Sequence, residues 1–155
     1  MSLTREYGRP VPVPDEATAG FWEAVRRHEL VFQRCQHCGR YAHLPVAFCQ
    51  GCHNLDQPSF RFERVSGRGK VVNWTVIHDH MVAGFEGAGP LVHVLVEMEE
   101  QQDLLFPATL IGDAGGLALR APVEVVFRDV TDGVTLPYFQ LARSAPAQGS
   151  ARPAG

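Results

Sequence analysis

All four cysteines of the chain fall within residues 35–52, and this cluster is the clearest chemical signal in the sequence. They form two C-x2-C pairs, Cys35/Cys38 and Cys49/Cys52, with ten residues between the pairs. Two cysteines three positions apart on a tight turn can direct both sulfurs to one point, and a second such turn opposite completes a tetrahedron of thiolates. Gly39 gives the first turn access to positive φ. The spacing therefore predicts a closed, structural metal site.

Zinc is the metal we expect, although a rubredoxin-like iron site uses the same four ligands. The alternatives are four free thiols or two disulfides. A disulfide framework needs an oxidising compartment, whereas the N-terminus shows no charged-then-apolar signal segment, so we expect a cytoplasmic protein. His37, His43 and His53 lie close enough to substitute as ligands, but we expect them to be solvated loop histidines.

The charge of the chain is unevenly distributed around these cysteines. Residues 22–70 contain eight Arg or Lys against four acids, a balance of +4, and residues 71–155 contain four against ten, a balance of −6. The whole chain of 155 residues has a formal net charge of −3, which argues against a general nucleic-acid binder. We therefore expect an anionic ligand or partner to meet the positive stretch around the cysteines. No apolar run approaches the roughly 18 residues of a membrane span.

Sequence patterns predict a mainly β protein. Three prolines among residues 10–14 exclude a helix there, and Asp15 is a plausible N-cap for a helix that runs to about His28. Five β-rich segments, separated by turn signals, predict a five-stranded barrel, most simply an OB fold, with a small sandwich as the alternative. The predicted strands are 70–78, 91–98, 104–111, 123–130 and 136–141. The predicted organisation is an arm and helix over 1–33, a zinc ribbon over 34–62, a barrel over 63–142 and a disordered tail over 143–155.

No motif in the sequence indicates a catalytic centre. Once the metal site is filled no cysteine is left as a nucleophile, and there is no G-x-S-x-G elbow, P-loop or dinucleotide fingerprint. His78-Asp79-His80 places two imidazoles on one side of a strand end, but a polar strand end is the simpler interpretation. The glycine-rich loop 84–90 exposes Phe85, so it either gates a tunnel, contacts a partner or is an ordinary hairpin connection.

Four segments together resemble a known family. They are FWEAVRRHELVFQRCQHCG, the second cysteine pair, SGRGKVVNWTVIH, and residues 123–139 of the phrase PVEVVFRDVTDGVTLPYF. In this order they are similar to the zinc-ribbon/OB-fold proteins, formerly a domain of unknown function, that accompany thiolases and steroid side-chain aldolases. The resemblance covers about residues 10–142. One departure is CQGCH at the second pair, where many relatives have proline after the first cysteine.

The resemblance implies a fold and a function. The fold is an N-terminal helix, a rubredoxin-like zinc ribbon and an OB-fold barrel. The function is that of an accessory, non-catalytic subunit that binds acyl-CoA beside a thiolase-fold enzyme, in an α2β2 heterotetramer. The helix residues Phe21 and Trp22 are then candidates for the partner-facing surface. The candidates for contact with CoA or with the partner are Arg34, Arg40, Arg61, Arg64, Arg68 and Phe85.

A single-stranded nucleic-acid-binding module is the competing interpretation. Zinc ribbons and OB barrels both occur in such proteins, and Trp74 and Phe62 could stack on bases. The acidic balance of residues 71–155 argues against it, and Trp74 lies in a predicted strand where a core position is expected. Salt-dependent gel shifts set against binding of a long acyl-CoA would separate the two interpretations.

Overall fold

The computed structural model describes residues 8–53, 60–78, 82–85 and 87–142. The expected disordered tail over 143–155 and most of the His78-Asp79-His80 motif lie outside these residues. One helix and eight strands follow each other along the described chain. In chain order they are α1 (Ala19–Arg26), β1 (Val31–Cys35), β2 (Tyr41–Ala42), β3 (Phe60–Arg64), β4 (Arg68–Ile77), β5 (Leu91–Met98), β6 (Leu105–Leu110), β7 (Pro122–Thr131) and β8 (Val134–Leu141).

Helix α1 begins three residues later than the sequence suggested, with Thr18 as its N-cap in place of Asp15. Asp15 does organise the entry, because its carboxylate accepts hydrogen bonds from the Thr18 amide (2.8 Å) and hydroxyl (2.6 Å). These bonds from Thr18 lower the pKa of Asp15, but they close a turn ahead of the helix rather than its first turn. At the other end, His28 takes φ +59 and reverses the chain, in the left-handed position that often ends a helix.

Two sheets follow the helix. β2, β1 and β3 form an antiparallel ribbon that starts at Val31 and ends at Arg64, so it extends past the expected 34–62 on both sides. β4 to β8 form a closed barrel in the order β4-β5-β6-β8-β7. The five predicted barrel strands are confirmed, as is the OB-type architecture. The seam between β6 and β8 is parallel and short, with one register pair, Leu110 and Phe139.

The ribbon, the helix and the barrel share one hydrophobic core. Phe106 of β6 lies at its centre, with ring centroids 5.5 Å from Phe32 of the ribbon, 6.4 Å from Phe21 of the helix and 5.9 Å from Phe139 of the barrel. Gly20 allows the close approach of α1 to the ribbon, because a Cβ there would lie 2.6 Å from the Phe62 ring. The helix is therefore covered largely by its own chain.

Candidate metal centre and apolar groove

The two cysteine turns have matching backbone geometry. In the first, the Gly39 amide donates to the Cys35 carbonyl at 2.9 Å, and Gly39 takes φ +75. In the second, the His53 amide donates to the Cys49 carbonyl at 2.8 Å, and His53 takes φ +56. Gly51 serves a different purpose, since a Cβ there would lie 2.8 Å from the Arg40 side chain. The left-handed residue of the second turn is thus His53, which the sequence did not indicate.

The four sulfurs converge as the spacing predicted. All four Sγ atoms lie within 4.8 Å of one another, with Cys38 and Cys49 3.5 Å apart and Cys35 and Cys52 3.7 Å apart. A tetrahedron with Zn–S bonds of about 2.3 Å has S–S edges of about 3.8 Å, whereas a disulfide measures about 2.05 Å. The four cysteines are therefore not joined by disulfides, and their sulfurs are arranged to bind one metal ion.

Backbone amides favour the thiolate form that a metal requires. The Cys52 amide lowers the pKa of Cys49 to about 6, and the Cys38 amide lowers the pKa of Cys35. Among the described residues no histidine joins this cluster. His37 and His53 are exposed, as expected of loop histidines.

His43 corrects that expectation. Its ring lies 4.9 Å from Phe32 and 4.7 Å from Phe106, measured between centroids, where the ribbon meets the barrel. Burial among these aromatic rings lowers the pKa of His43 to about 4. His43 is therefore a neutral member of the shared core and not a solvated loop residue.

Arg34 supports the first cysteine turn from the adjacent strand. Its Nε donates to the Gly39 carbonyl at 3.0 Å, and its NH1 donates to the Glu63 carboxylate at 2.8 Å. The hydrogen bond from Arg34 lowers the pKa of Glu63, and the Arg34 guanidinium also lies 5.2 Å from the Tyr41 ring centroid. The Arg34 guanidinium is thus already engaged by Gly39, Glu63 and Tyr41 of the same chain, which makes it a weaker candidate for contact with a ligand.

The other candidate arginines surround the ribbon. Arg64 lies 3.6 Å from Glu29, and Arg68 lies 2.9 Å from Glu99, both as exposed ion pairs. Arg40 and Arg61 are exposed and make no ion pair within the described part of the chain. The five arginines do not converge on a common cavity.

An apolar groove with a volume of about 860 Å³ lies between the ribbon and the barrel. Its walls come from the N-terminal arm, α1, the ribbon, β5, β6 and β8, along the parallel seam. Phe85 lines it, as do Phe21 and Trp22. The two arginines that line it are Arg9 of the arm and Arg128 of β7. The positive charges beside the apolar surface therefore come from residues that the sequence analysis missed.

The N-terminal arm is held on one side of this groove by the loop that contains Phe85. Arg9 Nε donates to the Gly84 carbonyl at 3.1 Å, and its guanidinium lies 4.4 Å from the Phe85 ring centroid. Gly84 has φ +90, and a Cβ there would lie 2.2 Å from the Gly8 carbonyl oxygen. Arg128 also lines the groove, and its guanidinium lies 5.7 Å from the Tyr138 ring centroid.

The two helix candidates occupy different environments. Phe21 is only 8% exposed and belongs to the core, so the helix presents little of it to a partner. Trp22 is half-buried and keeps part of its surface accessible at the groove. Trp74, which was expected in the core, is 38% exposed. Among the described residues, no helix has the length and hydrophobicity that a membrane span requires.

Fold and site together define a four-cysteine metal ribbon joined through a common core to a five-stranded OB barrel. Two family models match these parts separately: "ChsH2, rubredoxin-like zinc ribbon domain" over residues 22–56 and "ChsH2, C-terminal OB-fold domain" over residues 62–128. The chain belongs to this family of ChsH2-type zinc-ribbon/OB-fold proteins, which confirms the resemblance inferred from sequence.

Curated relatives are named as hydratase subunits. The chain is 30% identical over 135 residues to a probable enoyl-CoA hydratase alpha subunit of Thermomonospora curvata, covering 86% of this chain and 40% of that protein. It is 32% identical over 139 residues to the 3-oxo-4,17-pregnadiene-20-carboxyl-CoA hydratase alpha subunit of Mycobacterium tuberculosis, covering 81% and 42%. The chain thus spans about two fifths of the length of these relatives.

Solved structures share the fold. A chain of the "Ltp2-ChsH2(DUF35) aldolase" superposes with a TM-score of 0.71 at 28% identity, covering 84% of this chain and 98% of that one. A protein of unknown function from the DUF35 family of Sulfolobus solfataricus superposes with a TM-score of 0.54 at 14% identity, covering 82% and 86%. The second likeness concerns the fold alone.

Proposed function

We propose that this protein is a non-catalytic subunit of a thiolase or thiolase-like aldolase complex, and that it holds the acyl-CoA substrate. The observation that carries the proposal is the apolar groove between ribbon and barrel, with Arg9 and Arg128 in its lining. Its volume of about 860 Å³ lies in the usual range of small-molecule sites, and its lining is largely apolar. These properties suit a ligand that has both an apolar chain and phosphate groups.

The parts of an acyl-CoA match the parts of the groove. Aromatic and aliphatic side chains such as Phe85, Trp22 and Leu136 offer contacts to the acyl or pantetheine portion. Arg9 and Arg128 offer forked guanidinium contacts to phosphate oxygens. The exposed ribbon arginines, Arg40 and Arg61 among them, then remain candidates for contact with acidic surface on the partner.

The chemistry itself belongs to the partner in this proposal. Carbon–carbon cleavage of a 3-oxo- or 3-hydroxyacyl-CoA needs a general base and an oxyanion hole, and thiolysis also needs a nucleophilic thiol. All four thiols of this chain belong to the metal centre. Zinc is the metal we propose there, with a structural role: it would link the two cysteine turns and fix the ribbon wall of the groove.

The names of related proteins support this assignment. The structural relative is described as an aldolase with two named components, and both curated relatives are named as subunits acting on CoA thioesters. By analogy we propose a thiolase-fold partner, an α2β2 heterotetramer, and a lipid or steroid side-chain substrate. We also propose a cytoplasmic location, where the four thiols stay reduced.

Reconstitution tests the proposal. Candidate thiolase-fold subunits of the same organism are assayed alone and mixed with this chain, using 3-oxoacyl-CoA and 3-hydroxyacyl-CoA substrates. The chain alone should give no cleavage, the correct partner alone little, and the mixture full activity. Cleavage by the isolated chain, or a partner whose activity is unaffected by the chain, would overturn the proposal.

A further inference from the structure

Within the described residues, strand β4 has neighbouring strands on both sides only at its start, and one of its edges is free beyond that point. β5 pairs with it from Gly69 to Ile77, whereas β7 pairs with it only from Arg68 to Lys70. Val71 is the last residue bonded on the β7 side, through the Ala121 carbonyl (3.0 Å) and the Arg120 amide (2.7 Å). Within the described part of the chain, residues 72–77 have no strand partner on that side.

The free edge is unusually apolar. A β-bulge between Val71 and Asn73 shifts the register where the pairing with β7 ends. The residues that follow are exposed, with Trp74 at 38% and Val76 at 41% of their surface accessible, and Val82 in the next loop is 54% exposed. Residues 71–77, VVNWTVI, contain no charge and no proline. Proteins usually protect free strand edges with charged side chains, with proline or with a covering helix or loop. Because residues 71–77 have neither charge nor proline, we expect a strand from another chain to pair with this edge.

We infer that this edge, residues 72–77, is where the thiolase-fold partner docks, by adding an extended segment to β4. The inference rests on the proposed function for the partner. Strand addition supplies main-chain hydrogen bonds along the edge, while Trp74 and Val76 supply apolar anchors at alternate positions. The partner segment should therefore carry apolar residues at every second position.

The position of the edge favours this partner. Thr75 and Ile77 of β4 pair directly with His93 and Leu91 of β5, and both β5 residues line the groove. A strand added to β4 lies about 4.8 Å from β4 and therefore about 10 Å from β5. A catalytic subunit docked there would stand beside the ligand in the groove.

Charge argues against a second copy of this chain as the occupant. Residues 71–155 carry a balance of −6, so edge-to-edge pairing of two copies would bring two acidic barrels together. A partner with basic residues flanking its edge segment is complementary to the same surface. The geometry thus points to a heterologous contact.

Two edge variants and a matched control test this inference. Trp74→Lys and Val76→Lys place a charge on the edge, and Leu119→Lys places the same charge on another exposed apolar residue of the barrel, 65% accessible. Calorimetry with the thiolase-fold subunit that passes the reconstitution assay should show at least about 100-fold weaker binding for the edge variants and unchanged binding for Leu119→Lys. Retained binding of decanoyl-CoA by Trp74→Lys alone verifies that its fold and groove are intact.

Hydrogen exchange gives an independent readout of strand addition. The amides of residues 72–77 that point away from β5 should become protected when the full-length chain forms the complex, since the others already bond to β5. A complex that forms equally well with Trp74→Lys, with no new protection of this edge, would overturn the docking inference and leave the proposed function in place. If the wild-type chain associates with no thiolase-fold subunit, the proposed function is wrong, and the docking inference that rests on it is wrong as well. A homodimer of the chain that Trp74→Lys dissociates would overturn the choice of partner in favour of a second copy.

Discussion

The side chain of Gln101 pairs with the backbone of Tyr41 as a neighbouring strand would. The Tyr41 amide donates to Gln101 Oε1 at 2.8 Å, and Gln101 Nε2 donates to the Tyr41 carbonyl at 3.2 Å. Tyr41 belongs to β2, one of the two outer strands of the ribbon, whereas Gln101 belongs to the β5–β6 turn of the barrel. The side-chain amide of Gln101 thus satisfies the backbone hydrogen-bonding groups of Tyr41 at the edge of the ribbon. The same two bonds fix the ribbon against the barrel, and the shape of the groove depends on this arrangement.

Replacing Gln101 with leucine should loosen this junction. Both hydrogen bonds to Tyr41 are lost, and since such bonds are worth about 1 kcal/mol each, we expect the free energy of unfolding to fall by about 1–2 kcal/mol. Urea denaturation measures this change, and faster hydrogen exchange of the Tyr41 amide localises it. Gln102→Leu, at the exposed neighbouring residue, is the control. Equal stability of the two variants would contradict the role assigned to Gln101.

Removal of a single cysteine should abolish the metal centre. Metal binding at four-thiolate sites contributes on the order of 10 kcal/mol to local folding, so Cys49→Ser should unfold the ribbon. The barrel should keep its strands but lose stability, because Phe106 would lose its contact with Phe32. Elemental analysis and amide NMR spectra report these two effects. His53→Asn, next to a ligand, should keep one zinc per chain.

A wild-type protein that lacks bound metal would contradict this prediction. So would native thiols that all react freely with a thiol reagent, because zinc-bound thiolates at a closed site are shielded. If elemental analysis finds iron in place of zinc, the four-thiolate site is still confirmed and only the identity of the metal changes.

The metal ligands and the barrel strands were predictable because their signals are local. Cysteine spacing sets which sulfurs can converge, and β-rich segments between turn signals set the strands. The start of α1 was less predictable, since the hydrogen bonds that Thr18 donates to the Asp15 carboxylate form a turn that resembles a helix cap in sequence.

The groove could not be predicted because distant segments assemble it. Arg9 and Gly84 are 75 positions apart, and no periodicity relates the arm to that loop. His43 looked like a loop histidine because nothing in its neighbourhood reveals Phe106, which reaches it from the barrel. Trp74 looked like a core residue because the sequence does not reveal that β7 leaves β4 after Lys70. For Arg128, the one available signal was its place inside the family-like phrase 123–139.

The burial of His43 should make stability depend on pH. Its pKa of about 4 in the folded chain lies below the unfolded value of about 6.5, so the unfolded chain binds more protons as pH falls through this window. The stabilisation from neutral His43 is present above pH 6.5 and is lost towards pH 4, with a loss of about 2 kcal/mol between pH 7 and pH 5.

Urea denaturation at pH 7 and pH 5 checks this dependence. His43→Phe keeps an aromatic ring among Phe21, Phe32 and Phe106 but removes the titrating group, so its stability should change less over this interval. His78→Phe, at an exposed position after β4, should keep the wild-type dependence. Parallel pH profiles for wild type and His43→Phe would show that His43 does not cause the loss.

The two groove arginines, Arg9 and Arg128, should contribute to acyl-CoA affinity, whereas Arg64 and Arg68 should not. Arg9 and Arg128 line the same apolar groove, and a charged hydrogen bond to phosphate is worth about 1.5–3 kcal/mol, so Arg128→Gln should weaken decanoyl-CoA binding by about 10-fold or more. Arg9→Gln should have a similar effect, with an added loss from release of the arm at Gly84.

Arg64→Gln and Arg68→Gln are matched controls, since these exposed residues pair with Glu29 and Glu99 away from the groove. Calorimetric titration at two salt concentrations gives the affinities, and the salt dependence should weaken only in the groove variants. If Arg68→Gln loses affinity while Arg128→Gln does not, the CoA phosphates lie near the start of β4 instead of in the groove.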